Sequence, residues 1–172
     1  MILPHTHQKG AAEMKRIYTA AVVGGGAGGS LSMAALAASE RFDLVALADI
    51  SPAARAAASE RYPALQTFAD HRQMLANVPV DVVCVATWPP SHLEVTADAL
   101  ALPLRGILVE KPLADTAASG RQVLELIKAR RLPMAVPHGL LVADHSRQVL
   151  ELVHGGAIGD LKLVEIQCSG WD

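Results

Sequence analysis

The 172-residue sequence predicts an α/β fold: a doubly wound parallel sheet with helices on both faces. Three observations lead there. Short runs rich in Val, Ile and Ala alternate along the chain with helical patterns, as strand–helix–strand crossovers require. Hydrophobic residues make up 51% of the chain but aromatics only 3%, so the core must be built from Ala, Val and Leu, the usual filling of a sheet covered on both faces. Finally, the first apolar run, Ile17 to Val23, empties into a cluster of glycines from which a helical pattern starts.

Within that cluster, Gly24, Gly26 and Gly29 fit the G-x-G-x-x-G spacing of a dinucleotide-binding turn. The first glycine permits the tight turn out of the strand, and the second lets a pyrophosphate approach bare backbone. The third lets the helix pack close to the strand. The helix start then offers unpaired N–H groups and the positive end of its dipole to the phosphates. Close packing without any ligand would use the same glycines, so this motif alone does not decide.

The remaining elements follow in order. An alanine-rich helix is expected over Leu31 to Ser39, then a strand over Phe42 to Ala48 ending at Asp49. Asp49 stands about 20 residues past the last loop glycine, where a dinucleotide fold places the acid that accepts the adenosine-ribose hydroxyls. Ser51 and Pro52 supply an N-cap and an N1 proline for a helix running to about Tyr62, which leaves Asp49 free of capping duty. A carboxylate there repels a 2′-phosphate. NAD is therefore favoured over NADP, with Arg55 keeping NADP open.

A short strand, Leu65 to Phe68, and a short helix, Asp70 to Ala76, come next. Val80 to Thr87 reads as a strand buried on both faces, stopped by Trp88-Pro89-Pro90-Ser91-His92. Ser91 and Glu94 have capping-box spacing for a helix through Leu102, with His92 in its first turn; a lone histidine there reads as a packed, hydrogen-bonded residue. Arg105 to Val109 is another buried strand, stopping at Glu110-Lys111-Pro112. Two opposite charges at the carboxyl end of a central strand stand where open α/β sheets bind ligands, with a solvent-facing turn as the alternative reading. A helix over Thr116 to Arg131 is expected to be capped by Asp115 and to present Val123, Leu124, Leu126 and Ile127 on one face. A strand over Met134 to Val136 leads to Pro137-His138-Gly139. A second amphipathic helix, Asp144 to His154, should turn Val149, Leu150, Leu152 and Val153 inward, and Gly155-Gly156 ends it before a strand over Leu161 to Cys168.

Composition narrows the function classes. A net charge of −2 gives no reason to expect nucleic acid or an anionic membrane as partner, and no apolar run is long enough to span a bilayer. Residues 1–14 read as a disordered leader without a secretory pattern, His5 and His7 as part of a solvated tail, and Met14 as a plausible alternative start. Cys84 and Cys168 have neither disulfide-framework nor zinc-site spacing, so no metal is expected and the cytoplasm is the expected compartment.

The order of these signals resembles the N-terminal half of the glucose–fructose oxidoreductase / inositol dehydrogenase / rhizopine-catabolism (Gfo/Idh/MocA) family. The matching pieces are Gly24 to Gly29, the strand end at Asp49, Ala86-Thr87-Trp88-Pro89-Pro90-Ser91-His92, Glu110-Lys111-Pro112-Leu113 and Gly156-Ala157-Ile158-Gly159-Asp160. The resemblance implies a Rossmann domain over residues 15–139 that binds NAD or NADP, and over 140–172 a connecting helix and the first strand of a second α/β domain. It implies that Gly24, Gly26 and Gly29, with Ala27 and Gly28 between them, hold the pyrophosphate and Asp49 the ribose. Thr87, Trp88 and Pro89 would line the cofactor crevice, with His92 supporting their loop. Glu110 would approach the nicotinamide and Lys111 would be the active-site lysine, with a cis bond before Pro112. Trp88 departs from the smaller residue or proline of many members.

The family reaction implied is hydride transfer between nicotinamide and a hydroxyl-bearing carbon of a sugar or cyclitol. The family's second domain covers the nicotinamide, builds the substrate pocket, carries the catalytic histidine and forms the dimer interface, so a homo-oligomer is expected. The first strand of that domain is expected at Leu161 to Cys168, near the end of the sequence, and His138 is not at a position matching the catalytic histidine. Poor activity alone is the expectation, and a non-catalytic dinucleotide-binding sensor or partner subunit is the alternative.

Overall fold

The computed structural model describes residues 16–139 and 143–167. The chain divides into two compact units, Met1–Val136 and Pro137–Asp172. The first holds strands β1 (Tyr18–Val23), β2 (Phe42–Ala48), β3 (Gln66–Phe68), β4 (Val82–Val85), β5 (Gly106–Val109) and β6 (Met134–Ala135). Between them run helices α1 (Ala27–Ala37), α2 (Pro52–Arg61), α3 (His71–Asn77), α4 (His92–Ala99) and α5 (Ala117–Arg130). The sheet order is β3-β2-β1-β4-β5-β6 and every pairing is parallel, which is the Rossmann arrangement with its reversal between β1 and β4.

The strands alternate between two buried layers, as the two-residue period of a strand dictates. Ala21, Val23, Val83, Val85, Ile107 and Val109 pack with Met74 of α3, Val95 of α4 and Val123 and Ile127 of α5. Ala20, Val22, Leu47 and Cys84 pack with Met33 and Leu36 of α1 and Ala58 of α2. The buried centre of both layers is filled mostly by aliphatic side chains, with Phe68 on one and Phe42 and Tyr62 on the other packed at the margin.

Several elements differ from the sequence expectation. Helix α1 starts at Ala27, inside the glycine cluster, because Gly26 serves as its N-cap and the glycines of its first turn are helical. β4 is confined to Val82–Val85, since Ala86 and Thr87 leave the sheet toward a 3₁₀ turn over Pro89–Ser91. The capping box expected of Ser91 and Glu94 does not form. Ser91 Oγ instead donates to Thr87 Oγ1 (2.9 Å) and to the Trp88 carbonyl (2.8 Å), and Glu94 is engaged by Arg72. On α5 the capping residue is Thr116, in a reciprocal box with Ser119, while Asp115 accepts from the Ser119 hydroxyl at 2.6 Å. Only Val123 and Ile127 of its expected face are buried; Leu124 and Leu126 remain open to solvent.

The second unit holds helix α6 (Asp144–His154), whose bounds match the sequence pattern but which buries no residue. Val149, Leu150 and Leu152 are exposed rather than turned inward. Gly156 (φ +73°) and Gly159 (φ +69°) take left-handed backbone, as the turn after a helix favours. Residues 161–167 form no strand: among the described residues no ladder partner meets them, and Leu161, Leu163, Val164 and Ile166 are exposed. The leader, Cys168 and Trp171 lie outside the described residues.

Candidate cofactor-binding site

Strand register builds the site. Val23 of β1 stands opposite Ala48 of β2 and Val85 of β4, and Val85 stands opposite Val109 of β5. These four residues end their strands in one row. The residues that follow them, Gly24, Asp49, Ala86 and Glu110, therefore leave the sheet together at its carboxyl edge. The ladder bonds run one step further, with Gly24 N–H donating to Ala48 O (2.7 Å), Ala86 N–H to Val23 O (2.7 Å) and Glu110 N–H to Val85 O (2.8 Å). In open parallel sheets the crevice beyond this edge, at the reversal of strand order, takes the ligand.

Each glycine of the loop answers a different steric demand. A Cβ on Gly29 would stand 1.7 Å from the Gly24 carbonyl oxygen, so α1 can cross β1 this closely only without a side chain there. Gly24, at φ +97°, lies where a Cβ would meet the Ala86 carbonyl oxygen at 2.4 Å, which packs the β1 bend against the end of β4. Gly26 is the opposite case: nothing lies within 4 Å of its Cβ position. Helix α1 has no side-chain cap and no acid in its first turn. Its first N–H groups are thus left for an anion from outside the chain, and the open space in front of Gly26 is where one fits. The residues present suit a dinucleotide diphosphate.

Asp49 carries a task that its sequence context hides. Its Oδ2 accepts from Gly25 N–H at 2.5 Å and its Oδ1 from Ser51 N–H at 2.6 Å, so the carboxylate ties the glycine loop to the end of β2. Each oxygen retains acceptor capacity for a hydroxyl. Ser51 caps α2 as expected, through Ala54 N–H at 3.3 Å. Arg55 Nη1 donates to the Asp49 carbonyl at 2.7 Å, a tether that sequence could only suggest by proximity. Ile50, beside it, is almost wholly exposed.

His92 is fully buried, and both ring nitrogens face carbonyls: Nε2 toward Thr87 (3.0 Å), Nδ1 toward Pro112 (3.1 Å) and Leu113 (3.3 Å). It bridges the turn after β4 to the turn after β5, joining Thr87 to Pro112 through its ring. The Lys111–Pro112 bond is cis, as the resemblance implies. Glu110 Oε2 accepts from Lys111 N–H at 3.1 Å, and Lys111 itself is exposed. Trp88 projects into solvent at 77% exposure beside half-buried Pro89. His138 is exposed. Burial pushes the Cys84 thiol up to about 12, with the Glu110 charge adding to the rise, so this thiol stays protonated and inert at neutral pH.

The site residues thus converge from four strand ends, whereas the broad groove between α4 and α5, lined by Leu93, Ala118, Gln122 and Leu126, contains none of them. Among the described residues no cluster of His, Cys, Asp or Glu could hold a metal, and no helix is long and apolar enough to cross a membrane.

The Gfo/Idh/MocA family model, "Oxidoreductase family, NAD-binding Rossmann fold", matches residues 18–138. The chain belongs to this family. The rhizopine catabolism protein MocA of Rhizobium meliloti is 27% identical over 151 residues, 88% of this chain and 46% of MocA. The crystal structure of myo-inositol 2-dehydrogenase from Lactobacillus plantarum superposes with a TM-score of 0.78 at 21% identity, covering 84% of this chain and 43% of that one. Scyllo-inositol dehydrogenase from Lactobacillus casei, solved with bound NAD(H) and scyllo-inositol, superposes with a TM-score of 0.75 at 22% identity over 84% of this chain and 43% of its own. The chain therefore spans less than half the length of these relatives. Within the family it is the NAD-binding Rossmann domain of an oxidoreductase.

Proposed function

We propose that this chain supplies the cofactor half of a dehydrogenase that moves hydride between nicotinamide and the carbinol carbon of a cyclitol or sugar. The observation that carries this reading is the single row of strand ends, which sets Asp49, the glycine loop, Thr87 and the Glu110-Lys111 pair along one opening. When bound, NAD supplies the hydride acceptor. The chain's own residues bind and orient it. Gly24, Gly26 and Gly29, with Ala27 and Gly28, receive the diphosphate on backbone N–H groups, and Asp49 accepts from the adenosine ribose. Thr87, Trp88 and Pro89 wall the crevice, held by His92, and Glu110 flanks the nicotinamide side. Lys111, exposed at the mouth, hydrogen-bonds the reacting oxygen of the substrate and hands on its proton.

Substrate choice and a catalytic base are assigned to the part of the relatives that this chain does not span, and the working assembly to a homo-oligomer. The inositol dehydrogenases among the relatives support a cyclitol over an open-chain alcohol. Titrating the chain with NADH should give saturable nicotinamide fluorescence below millimolar cofactor, while myo-inositol and scyllo-inositol with NAD produce little NADH above background. Absence of a saturable signal overturns the cofactor role. Fast inositol-dependent NADH production by this chain alone overturns the division of labour.

A further inference from the structure

The G-x-G-x-x-G spacing accounts for Gly24, Gly26 and Gly29 but leaves Gly28 without a reason. It is an ordinary helical residue in the first turn of α1, where glycine costs about 1 kcal/mol relative to alanine. The structure supplies the reason from across the crevice. A Cβ on Gly28 would lie 3.1 Å from Cγ and Cδ of Glu110 and 3.3 Å from its Oε1. Glu110 is laid over the helix start, and Lys111 N–H holds its other oxygen at 3.1 Å. A negative side chain thus lies against the first turn of the helix whose uncapped N–H groups a diphosphate needs.

We infer that Glu110 sets the charge preference of the cofactor site: its carboxylate opposes the diphosphate and favours the cationic, oxidised nicotinamide over the reduced one. This rests on the reading that NAD lies with its diphosphate at α1. The row of strand ends runs Asp49, Gly24, Ala86, Glu110. With the adenosine at β2 and the diphosphate at β1, the second nucleoside extends toward β5, where Glu110 stands. Like charges at short range in a crevice repel more strongly than in bulk water, and an acid beside a pyridinium attracts it. Gly28 is the positioning residue that leaves room for this carboxylate.

Calorimetric titration of the whole chain and of Glu110→Gln with ADP-ribose, NAD and NADH separates the effects. The variant should bind ADP-ribose about threefold tighter or more at low salt, an advantage that shrinks as salt is raised. Its affinity for NADH relative to NAD should also rise about threefold. Glu110→Asp keeps the charge but withdraws it from Gly28, so it should fall between the two and guards against a folding effect of the amide. A Glu110→Gln chain that binds ADP-ribose no tighter, or that keeps the original NAD-to-NADH ratio, overturns the inference. A wild-type chain that binds none of the three ligands overturns the cofactor-site reading instead.

Discussion

The two compact units carry the same kinds of residue and treat them differently. In Met1–Val136 the aliphatic positions of β1, β2, β4 and β5 are buried in two layers, with Val22, Leu47, Val83 and Val85 fully enclosed. In Pro137–Asp172 helix α6 has a helical pattern as regular as any in the chain, yet none of its residues is buried. An amphipathic pattern states which face of an element must be covered, and it leaves the cover unspecified. The first unit contains its own cover because parallel strands and crossover helices supply both faces. The second displays a helix on which no residue is buried.

Glycines break the comparison most sharply. Gly29→Ala should destabilise the first unit by about 3 kcal/mol or more and abolish NADH binding, because a Cβ stands 1.7 Å from the Gly24 carbonyl oxygen. Gly156→Ala, left-handed but with nothing within 4 Å of its Cβ position, should cost only about 1 kcal/mol of local helix-end stability. Chemical denaturation of both variants with a probe in the first unit checks the pair, and equal effects would contradict the contrast.

A leucine pair tests burial directly. Leu47→Ala, in the wholly buried centre of β2, should lower unfolding free energy by about 2–5 kcal/mol. Leu152→Ala, 54% exposed on α6, should stay within about 0.5 kcal/mol. A large loss at Leu152 would show that α6 is covered in solution, and oligomeric state measured beside it would identify a second copy as the cover.

A further test of burial concerns pH. The Cys84 thiol is raised to about 12 in the folded chain, first by burial and then by Glu110. The unfolded thiol loses its proton near its ordinary value while the folded one keeps it. Stability from this group is therefore complete below that value and declines as pH rises toward 12, at about 1.4 kcal/mol per pH unit for one proton. Melts between neutral and alkaline pH should show a shallower decline for Cys84→Ala than for the wild type, and identical slopes would place the titration elsewhere.

Much of the fold was legible because its signals are local. A β-branched run bounded by Pro or Gly, Ser51 ahead of Pro52, and glycines at fixed spacing each describe contacts within a few residues. The sheet and its layers followed from them, as did the regions of the site. The expected capping box was lost to competing partners, one of them 22 residues away. Ser91 serves Thr87 and the Trp88 carbonyl rather than α4, and Glu94 is taken by Arg72 on α3. Asp49 stands at the end of β2 as expected and in addition ties the Gly25 and Ser51 N–H groups, a contact its local sequence does not show. The aliphatic alternation over 161–167 met no ladder.

By itself the sequence determined the α/β class, the glycine bend, the acid at the end of β2 and the charged turn after β5, because backbone conformation and hydrophobic period are properties of neighbouring residues. The tertiary structure alone decided that four strands end in one row, that His92 bridges two turns, and that Gly28 makes room for Glu110. Register and close approach join segments tens of residues apart, and no local preference encodes which of many compatible neighbours a side chain will meet.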